Sequence, residues 1–452
     1  MRRSGRATVT AALLVGCTAV LPLTGADTAG AASPGAASPG AHARVERVNT
    51  ASDGAQANAE SIGAKISADG RFVTFETGAT NLVPGATESM RRVYVKDLRT
   101  GRTEPASVAS DGTPADRSSW TTSISGDGRY VAFDSEAKNL APHRNPGDYH
   151  DVFVHDRVTG RTEVLVENKG TKPAHSSAPS ISADGRYVAF SSDRDDLVPG
   201  DTNGRTDVFV RDRLRGITKR VSVTSDGAQA DGFSVSPEIS ADGGKVAFLS
   251  MSDLVTPPGG EKALQRPRAR GLYVHDLRTG RVQRGAPSRD GGGVAVDGDF
   301  ALSPDGRYSL FSSASDAVVE NDTNGKADVF ATDLLTGVTR RVSVAADGSQ
   351  ADDSAYRGGV MSADNRHVYF MSLAANLVPG DTNGVEDVFA KDLVTGAVER
   401  VSVAADGSQA NGWSSGPSVD LAGRTLVFGS AADNLVPGDT NKVYDAFVRR
   451  LR

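Results

Sequence analysis

Four copies of an acidic loop motif, D-T-N-x-x-x-D, carry the oxygen side chains from which a cation site could be built. Each copy presents a carboxylate, an amide and a second carboxylate at positions one, three and seven, as part of a calcium-binding loop does. Calcium takes about six to eight oxygen ligands, so main-chain carbonyls and water would complete the shell. The predicted calcium ligands are Asp201, Asn203, Asp207, Asp322, Asn324, Asp328, Asp381, Asn383, Asp387, Asp439, Asn441 and Asp445.

The same motif also fits a tight turn that holds no metal. Asp and Asn side chains accept hydrogen bonds from nearby main-chain amides, and Asn-Gly readily takes left-handed conformations. The motif lacks the further acidic ligand of an EF-hand loop, and Lys442 replaces Gly in the last copy. The sequence leaves both interpretations open, and calcium is the one cofactor that it suggests.

A second loop motif, D-G-x-Q-A-[DN], begins at Asp53, Asp226, Asp347 and Asp406. Its Asp-Gly predicts a turn, and its Gln and final Asn or Asp are predicted to tie neighbouring repeats together. Aromatic side chains that follow in this loop are the candidate ligand-binding residues. If these rings are exposed, they would suit sugar stacking or peptide anchoring. If they are buried, they would pack between repeats. They are Trp120, Phe233, Tyr356 and Trp413.

Catalytic motifs are weak in this chain, and we expect no catalytic residues. Residues 412–416 read G-W-S-S-G, but a nucleophile elbow needs a strand-to-helix turn and a later histidine, and the last histidine is His367. The histidines show no repeated ligand spacing. His155 and His275 share one place in a repeated strand and are predicted to lie on the strand surface.

The first 43 residues predict a secretory signal and a flexible leader. Arg2, Arg3 and Arg6 precede an apolar run over residues 7–23, and small residues follow. The only cysteine, Cys17, lies in a Leu-Val-Gly-Cys sequence that resembles a bacterial lipobox. The sequence therefore predicts secretion, with a lipid anchor at Cys17 on the outer face of the cell membrane as the alternative. No other segment is long and apolar enough to span a membrane.

The elements that position these motifs come from a repeat, S-x-D-G-R-x-V-x-F, that recurs seven times with substitutions and is degraded in its last copy, Asp420–Phe428. At its Gly position the steps between copies are 58, 57, 58, 63, 59 and 58 residues. A fixed period of this size indicates a solenoid or a propeller. The residues at that position are Gly70, Gly128, Gly185, Gly243, Gly306, Asn365 and Gly423.

Each repeat predicts four short antiparallel strands, which is the pattern of a propeller blade. The last repeat stops after its third strand, and residues 44–49 match a fourth strand, the one at residues 397–403. We therefore predict an all-β, seven-bladed β-propeller over residues 44–452, with the N-terminal strand completing the last blade and closing the ring.

The repeat unit, followed by D-V-F-V-x-D-x-x-T-G, resembles the WD40-like (PD40) repeat of TolB-type propellers. The resemblance covers residues 44–452 and implies a propeller that acts as a binding platform. TolB itself has six blades and a separate α/β domain, whereas this chain has seven repeats. The resemblance therefore does not carry over the partner of TolB.

Loop lengths and charge complete the functional prediction. The loops after strands two and four are long and should emerge on one face, where rigid scaffolds place functional residues. The formal net charge of −6 argues against a nucleic-acid partner. We expect a secreted, monomeric, non-catalytic module that binds a protein or carbohydrate of the cell envelope or the extracellular space. The alternative is an enzyme with a centre at the channel mouth, as in propeller lactonases or lyases.

Overall fold

The structure is a computed structural model that describes residues 44–86, 89–142, 149–166, 174–255, 270–356 and 358–451. The predicted signal, its leader and Cys17 lie outside the described residues. Every regular element in the described part is a β-strand. None of the described residues forms a helix with the length and apolarity needed to cross a bilayer.

The strands form seven four-stranded antiparallel sheets, which are the blades of a seven-bladed β-propeller. This confirms the predicted fold. In chain order the strands are β1 Val45–Arg47, β2 Ser61–Ile66, β3 Phe72–Thr77, β4 Arg92–Asp97, β5 Thr103–Pro105, β6 Ser119–Ile124, β7 Tyr130–Ser135, β8 Asp151–Asp156, β9 Arg161–Val164, β10 Ser176–Ile181, β11 Tyr187–Ser192, β12 Asp207–Asp212, β13 Ile217–Arg220, β14 Ser234–Ile239, β15 Lys245–Ser250, β16 Gly271–Asp276, β17 Val282–Arg284, β18 Phe300–Leu302, β19 Tyr308–Ser313, β20 Asp328–Asp333, β21 Thr339–Arg341, β22 Val360–Met361, β23 His367–Ser372, β24 Asp387–Asp392, β25 Val398–Arg400, β26 Ser414–Val419, β27 Thr425–Ser430 and β28 Asp445–Arg450.

The ring closes through the N-terminal strand. Strand β1 pairs antiparallel with β28, placing Val45 opposite Arg449 and Arg47 opposite Phe447, so the last blade reads β26, β27, β28, β1. This confirms the predicted closure. We number the blades 1 to 7 from the sheet that begins at β2. The first strand of each blade lies nearest the axis, and these strands contact one another around the ring.

The D-G-R turn joins the first two strands of a blade and also fits the neighbouring blade. Gly128 has φ +70°, and a Cβ at this position would collide with the Phe72 ring of the blade before it. Ser125 Oγ accepts the Tyr130 amide at 2.9 Å and so closes the turn. Glycine is therefore needed here both for the turn and for the packing between blades.

The core repeats from blade to blade around an aromatic pair. Phe133 and Phe153 stack across the second and third strands with ring centroids 5.9 Å apart, and both are fully buried. Alternating side chains of these strands fill the space between adjacent sheets. Val95 of blade 1, for example, belongs to the same buried cluster as Val131 and Phe133 of blade 2. Second and third strands are consequently almost wholly buried, and functional side chains must come from strand ends and loops.

Two faces result from this arrangement. The short-turn face carries the D-G-R turns and the x-T-G turns between the third and fourth strands. The long-loop face carries the loops between the second and third strands and the connections that lead into the next blade. The predicted calcium ligands and the candidate aromatic residues all lie in or beside the connections of the long-loop face.

Candidate functional site

The D-T-N loops of the long-loop face are held by hydrogen bonds within their own blade. In blade 3, Asn203 Nδ2 donates to Asp207 Oδ2 at 3.0 Å and to Ala230 O at 2.9 Å. Asn203 Oδ1 accepts the Arg205 amide at 2.8 Å, and Asp207 Oδ1 accepts Ser222 Oγ at 2.6 Å. The amide of the motif thus acts as a donor to the second carboxylate. The same Asn-to-Asp bond recurs at Asn324–Asp328, Asn383–Asp387 and Asn441–Asp445.

An arginine of the fourth strand completes each loop. Arg341 Nη2 lies 3.1 Å from Asp322 Oδ1, and Arg341 Nε lies 3.5 Å from Asp328 Oδ2. All three side chains are nearly inaccessible to solvent. Equivalent clusters join Arg220 to Asp201 and Asp207, Arg400 to Asp381 and Asp387, and Arg47 to Asp439 and Asp445.

The guanidinium group therefore occupies the position between the two carboxylates where a cation would bind. Burial raises the pKa of Asp328 and of Asp322 above the usual range, and the Arg341 charge opposes that rise. Among the described residues, no group of three His, Cys, Asp or Glu side chains has the arrangement of a metal site. The contacts agree with the polar-turn interpretation, and calcium binding stays a prediction.

The D-G-x-Q-A connections tie neighbouring blades together, which confirms that interpretation. Gln229 Nε2 donates to Asp201 Oδ1 at 2.8 Å in the blade that the chain is leaving. At the other end of such a connection, Asn58 Nδ2 donates to Thr80 Oγ1 at 2.9 Å in the blade that follows. These described connections therefore bond to the blade before them and to the blade after them.

Three of the four candidate aromatic residues are exposed on the long-loop face. Trp413 is 47% exposed and stacks on Tyr444 at a centroid distance of 4.4 Å. Phe233 is 43% exposed, and the Arg205 guanidinium lies 4.9 Å from its ring centroid. Tyr356 is 42% exposed. Trp413 and Phe233 directly precede the first strand of a blade, so both lie near the channel mouth.

Trp120 has a different environment, because it belongs to strand β6. Its ring stacks on His150 at a centroid distance of 4.7 Å. His150 Nδ1 lies 2.6 Å from the buried Asp134 Oδ2, and His150 Nε2 lies 3.4 Å from Glu136 Oε1. The hydrogen bond with Asp134 raises the pKa of His150. This Trp120–His150 cluster places a histidine and two carboxylates beside an aromatic ring of the first strand of blade 2.

Sequence reasoning missed the Trp120–His150 cluster. Its members come from β6, from the end of β7 and from the residue before β8, and only the antiparallel register places Trp120 opposite Asp134. Its neighbourhood extends to His175, whose ring lies 5.8 Å from that of His150. A usable signal existed, because Asp134 replaces the small or apolar residue that later repeats carry after the conserved phenylalanine.

A further carboxylate lies between blades 1 and 2. Glu76 occupies in β3 the position that Asp134 occupies in β7, and Glu76 Oε1 accepts the Thr122 amide at 3.2 Å. Burial raises the pKa of Glu76 to about 7. In blade 4, burial likewise raises the pKa of Glu238 to about 7, and Lys65 of blade 1 opposes that rise. Both carboxyl groups therefore change charge near neutral pH.

The remaining motifs have structural roles. Ser414 of G-W-S-S-G is fully buried and its Oγ donates to Ser430 Oγ at 2.9 Å, so it is not an exposed nucleophile. The prediction that His155 and His275 lie on a strand surface is wrong. Both are buried between blades, where His275 Nδ1 lies 3.0 Å from Val221 O of the preceding blade. Packing of adjacent sheets covers that side of the third strand.

No family model matches the chain, and no curated protein matches its sequence. Solved structures match its fold at low identity. An oligogalacturonate lyase in complex with manganese matches with a TM-score of 0.52 and 13% identity, over 92% of this chain and 94% of that chain. A prolyl endopeptidase matches with a TM-score of 0.51 and 13% identity, over 82% of this chain and 46% of that chain.

TolB from Acinetobacter baumannii also matches, with a TM-score of 0.37 and 16% identity. That match covers 68% of this chain, which spans 61% of the TolB chain. At such identities the likenesses to the lyase and to the endopeptidase show the β-propeller fold and nothing about activity. Function must therefore be argued from the residues of this chain.

Proposed function

We propose that the chain is a secreted, monomeric, non-catalytic β-propeller whose long-loop face binds a ligand of the cell envelope or the extracellular space. Of the two ligand classes that suit exposed aromatic side chains, protein and carbohydrate, the carbohydrate is the better match. The observation that carries this proposal is the exposed Trp413–Tyr444 stack beside the channel mouth.

The distribution of exposed side chains supports the choice of face. Among the described residues, the exposed large aromatic side chains are Phe233, Tyr356 and Trp413, all on the long-loop face. The exposed large aliphatic side chains lie at the turns or turn-proximal strand ends of the short-turn face. These are Val158, Leu214, Ile217, Leu335, Val338, Val394 and Leu421.

The stack has the form of a saccharide platform. Aromatic rings present an apolar face to the C–H groups of a sugar, while nearby polar groups bind its hydroxyls. Tyr444 beneath Trp413 is itself fixed by a hydrogen bond with Ser415, at 2.5 Å between the two oxygens. Trp413 is therefore held in place before the ligand arrives, which lowers the entropic cost of binding.

The test measures binding of the purified chain to insoluble cell-wall polysaccharide and to soluble oligosaccharides. We expect Trp413→Ala to weaken binding about five- to thirtyfold, because stacking on an exposed ring is worth about 1–2 kcal/mol. Leu335→Ala is the matched control, since it removes an exposed apolar side chain from the opposite face. Equal binding by Trp413→Ala and the wild type would contradict the proposal.

The second candidate, an enzyme with a channel-mouth centre, is favoured by the Trp120–His150 cluster. A histidine held between two carboxylates can transfer protons near neutral pH. Incubation with acidic and neutral oligosaccharides and with lactones separates the two candidates. A binding module returns them unchanged, whereas an enzyme produces turnover that His150→Gln abolishes and Leu335→Ala retains.

Localisation has its own test in the full-length chain. Secretion predicts that the protein leaves the cell in soluble form after its signal is removed. The lipid-anchored alternative predicts membrane partitioning that Cys17→Ser abolishes. Soluble wild-type protein in the medium would support secretion and would contradict the anchor.

A further inference from the structure

The segments that follow the last aspartate of the third strand in blades 1 to 6, here called the outer turns, expose a recurrent set of side chains. The second residue of every outer turn is either a large aliphatic residue or an arginine. Leu335 is 80% exposed and Leu214 is 79% exposed, so both pack little against the rest of the propeller. The outer turns are residues 98–102, 157–161, 213–217, 277–281, 334–338 and 393–397, and their second residues are Arg99, Val158, Leu214, Arg278, Leu335 and Val394.

The exposed aliphatic side chains are concentrated on one face. Among the described residues, all seven large aliphatic side chains with high exposure lie on the short-turn face. A soluble protein usually exposes such side chains singly and over its whole surface. Because the blades repeat radially around one axis, equivalent turn positions lie in one plane. Four blades therefore present an apolar side chain to the same plane, through Val158, Leu214, Leu335 and Val394.

The outer turns are also basic. Together they contain eight arginines and no acidic residue. The side chains of Arg102 and Arg161 are each 72% exposed, and they lie 3.4 Å from Glu104 and 3.6 Å from Glu163. Exposed ion pairs of this kind are weak, so these arginines can bind another anion at little cost.

The aspartates next to the outer turns are paired with other arginines. Each third strand of blades 1 to 6 ends at an aspartate, and Asp392 lies 2.6 Å from Arg366 of its D-G-R turn. The strand-end aspartates, the D-G-R turns and the outer turns contain fourteen arginines and thirteen aspartates, in a chain of net charge −6. Since the D-G-R turns lie nearer the axis, the excess of arginine is at the rim, beside the aliphatic side chains. The equivalent pairs are Arg71–Asp97, Arg129–Asp156, Arg186–Asp212 and Arg307–Asp333.

The chain enters the propeller on the same face. Strand β28 begins at Asp445 of a D-T-N motif and ends at Arg450, so its end lies on the short-turn face. Strand β1 is antiparallel to β28 and starts there, with the Arg450 amide donating to Arg44 O at 3.1 Å. Any membrane attachment through the chain that precedes Arg44 therefore acts on the face that carries the outer turns.

We propose that the short-turn face docks on the surface of an anionic lipid bilayer. The aliphatic side chains of the outer turns enter the interface between headgroups and acyl chains, and the arginines bind the lipid phosphates. A bilayer fits because it is flat, as the plane of these side chains is, and because it presents anionic groups above an apolar layer. The docked propeller turns its long-loop face away from the membrane, where the ligand of the proposed function can reach it.

The first test measures partition of the full chain into vesicles of phosphatidylcholine alone and of phosphatidylcholine with phosphatidylglycerol. We expect binding to the anionic vesicles that weakens as salt is added. Arg99→Gln combined with Arg278→Gln should lower the partition coefficient about tenfold, because each removes a basic side chain near the anionic surface. Arg205→Gln combined with Arg289→Gln is the matched control, since it removes two exposed charges from the long-loop face, and it should bind like the wild type.

A tryptophan reporter identifies the face that docks. The native tryptophans, Trp120 and Trp413, both lie on the side of the long loops, and the first 43 residues contain none. Leu335→Trp adds a ring to an outer turn. We expect brominated lipids to quench the fluorescence of this added ring and to leave the emission of the wild type unchanged. Equal quenching of the wild type and of Leu335→Trp would show that another face docks and would overturn the proposal.

Leu214→Ala combined with Leu335→Ala tests the apolar contribution. Both side chains are exposed, so the melting temperature should stay the same while the partition coefficient falls about tenfold. Absence of binding to anionic vesicles, or unchanged binding by both double variants, would overturn the proposal. Dimers in solution that this variant abolishes would assign the face to a second copy of the chain and would overturn it as well. Saccharide binding through Trp413 is measured separately, so the two proposals can fail independently.

Discussion

Arginine–aspartate pairs hold both faces of this propeller, but the two faces use them in opposite electrostatic environments. On the short-turn face, Arg129 forms a two-point contact with Asp156, at 3.0 and 2.7 Å, and its side chain is 38% exposed. On the long-loop face, Arg341 contacts Asp322 and Asp328 while all three side chains are buried.

The pKa values of the carboxyl groups show the difference. Hydrogen bonding from Arg129 lowers the pKa of Asp156 to about 2. Burial raises the pKa of Asp328, and Ser343 and Arg341 only partly offset that effect. The same pair of residue types therefore gives shifts of opposite sign, because desolvation dominates in one place and hydrogen bonding in the other.

The Arg–Asp pairs of the two faces therefore have different structural roles. The aspartate of the short-turn face caps a turn, since Asp156 Oδ1 also accepts the Val158 amide at 3.0 Å. Such a pair contributes little net stability. The buried clusters position whole loops and become costly when one partner is lost, because the other charge then stays buried without a counter-ion.

Loss of the ring-closing strand should have the largest effect on stability, because strand β1 supplies the buried arginine of blade 7. Deletion of residues 44–50 removes Arg47, which lies 2.8 Å from Asp439, together with the hydrogen bonds that close the sheet. We expect a lower melting temperature than for any point variant, or association through the open strand edge. Thermal melting and light scattering measure both outcomes.

Adding back the missing strand provides the control for that deletion. A peptide of residues 44–50 should restore the melting temperature, whereas a peptide with Arg47→Ala should restore less. A truncated chain that stays monomeric with an unchanged melting temperature would show that the strand does not close the ring.

Breaking one buried Arg–Asp cluster should have the second-largest effect on stability. Asp328→Ala leaves the buried Arg341 with Asp322 alone and removes the acceptor of Ser343 Oγ and Asn324 Nδ2. We expect a loss of about 3–5 kcal/mol in the free energy of unfolding. Arg129→Ala, on the short-turn face, should cost less than about 1 kcal/mol. Urea denaturation compares the two variants, and equal losses would refute the contrast between the faces.

Stability should also depend on pH through Glu76, a buried carboxyl that accepts a main-chain amide. Its pKa is raised from 4.5 to about 7 in the folded state, so the native state holds the proton more tightly than the unfolded state. The stabilisation is complete below about pH 4.5 and is lost as the pH rises to about 7. With 1.36 kcal/mol for each pH unit, the effect is about 3 kcal/mol.

Glu76→Gln tests this effect, because glutamine does not titrate. The fall in unfolding free energy between pH 4.5 and 7 should be smaller for Glu76→Gln than for the wild type. Glu60→Gln removes an exposed carboxylate from the long-loop face and serves as the control. Identical pH profiles for Glu76→Gln and the wild type would contradict the assignment.

Calcium should have the smallest effect on the melting temperature. The buried arginines already compensate the carboxylates of the D-T-N loops, so we expect equal melting temperatures in EDTA and in excess calcium. A calcium ligand set would instead give a clear increase, about 2.7 kcal/mol at a hundredfold excess over the dissociation constant. Loss of that increase in Asp201→Ala would then assign the site to these loops.

Much of the fold was predictable because its determinants are local. The D-G-R turn and the alternation of the third strand each depend on a few neighbouring residues, and both recur, with some substitutions, in all seven repeats. Even the closure by residues 44–49 followed from sequence, since those residues match an outer strand found elsewhere in the chain.

The site was less predictable because its partners are distant in sequence. Asp201 and Asn203 were recognised as a set of oxygen ligands, but Arg220, which lies beside Asp201 and Asp207, reads in the sequence as a polar residue of an edge strand. Trp120 was identified as a candidate, whereas His150 beside it was not.

The sequence by itself determined the number of blades, the strand pattern and the places where acidic and aromatic side chains recur. Those features depend on turns and on alternation, which short segments of chain decide. Only the tertiary structure decided which carboxylates receive an arginine and which histidine faces Trp120. Those pairings depend on strand register and on burial between blades, and both arise only when the ring is closed.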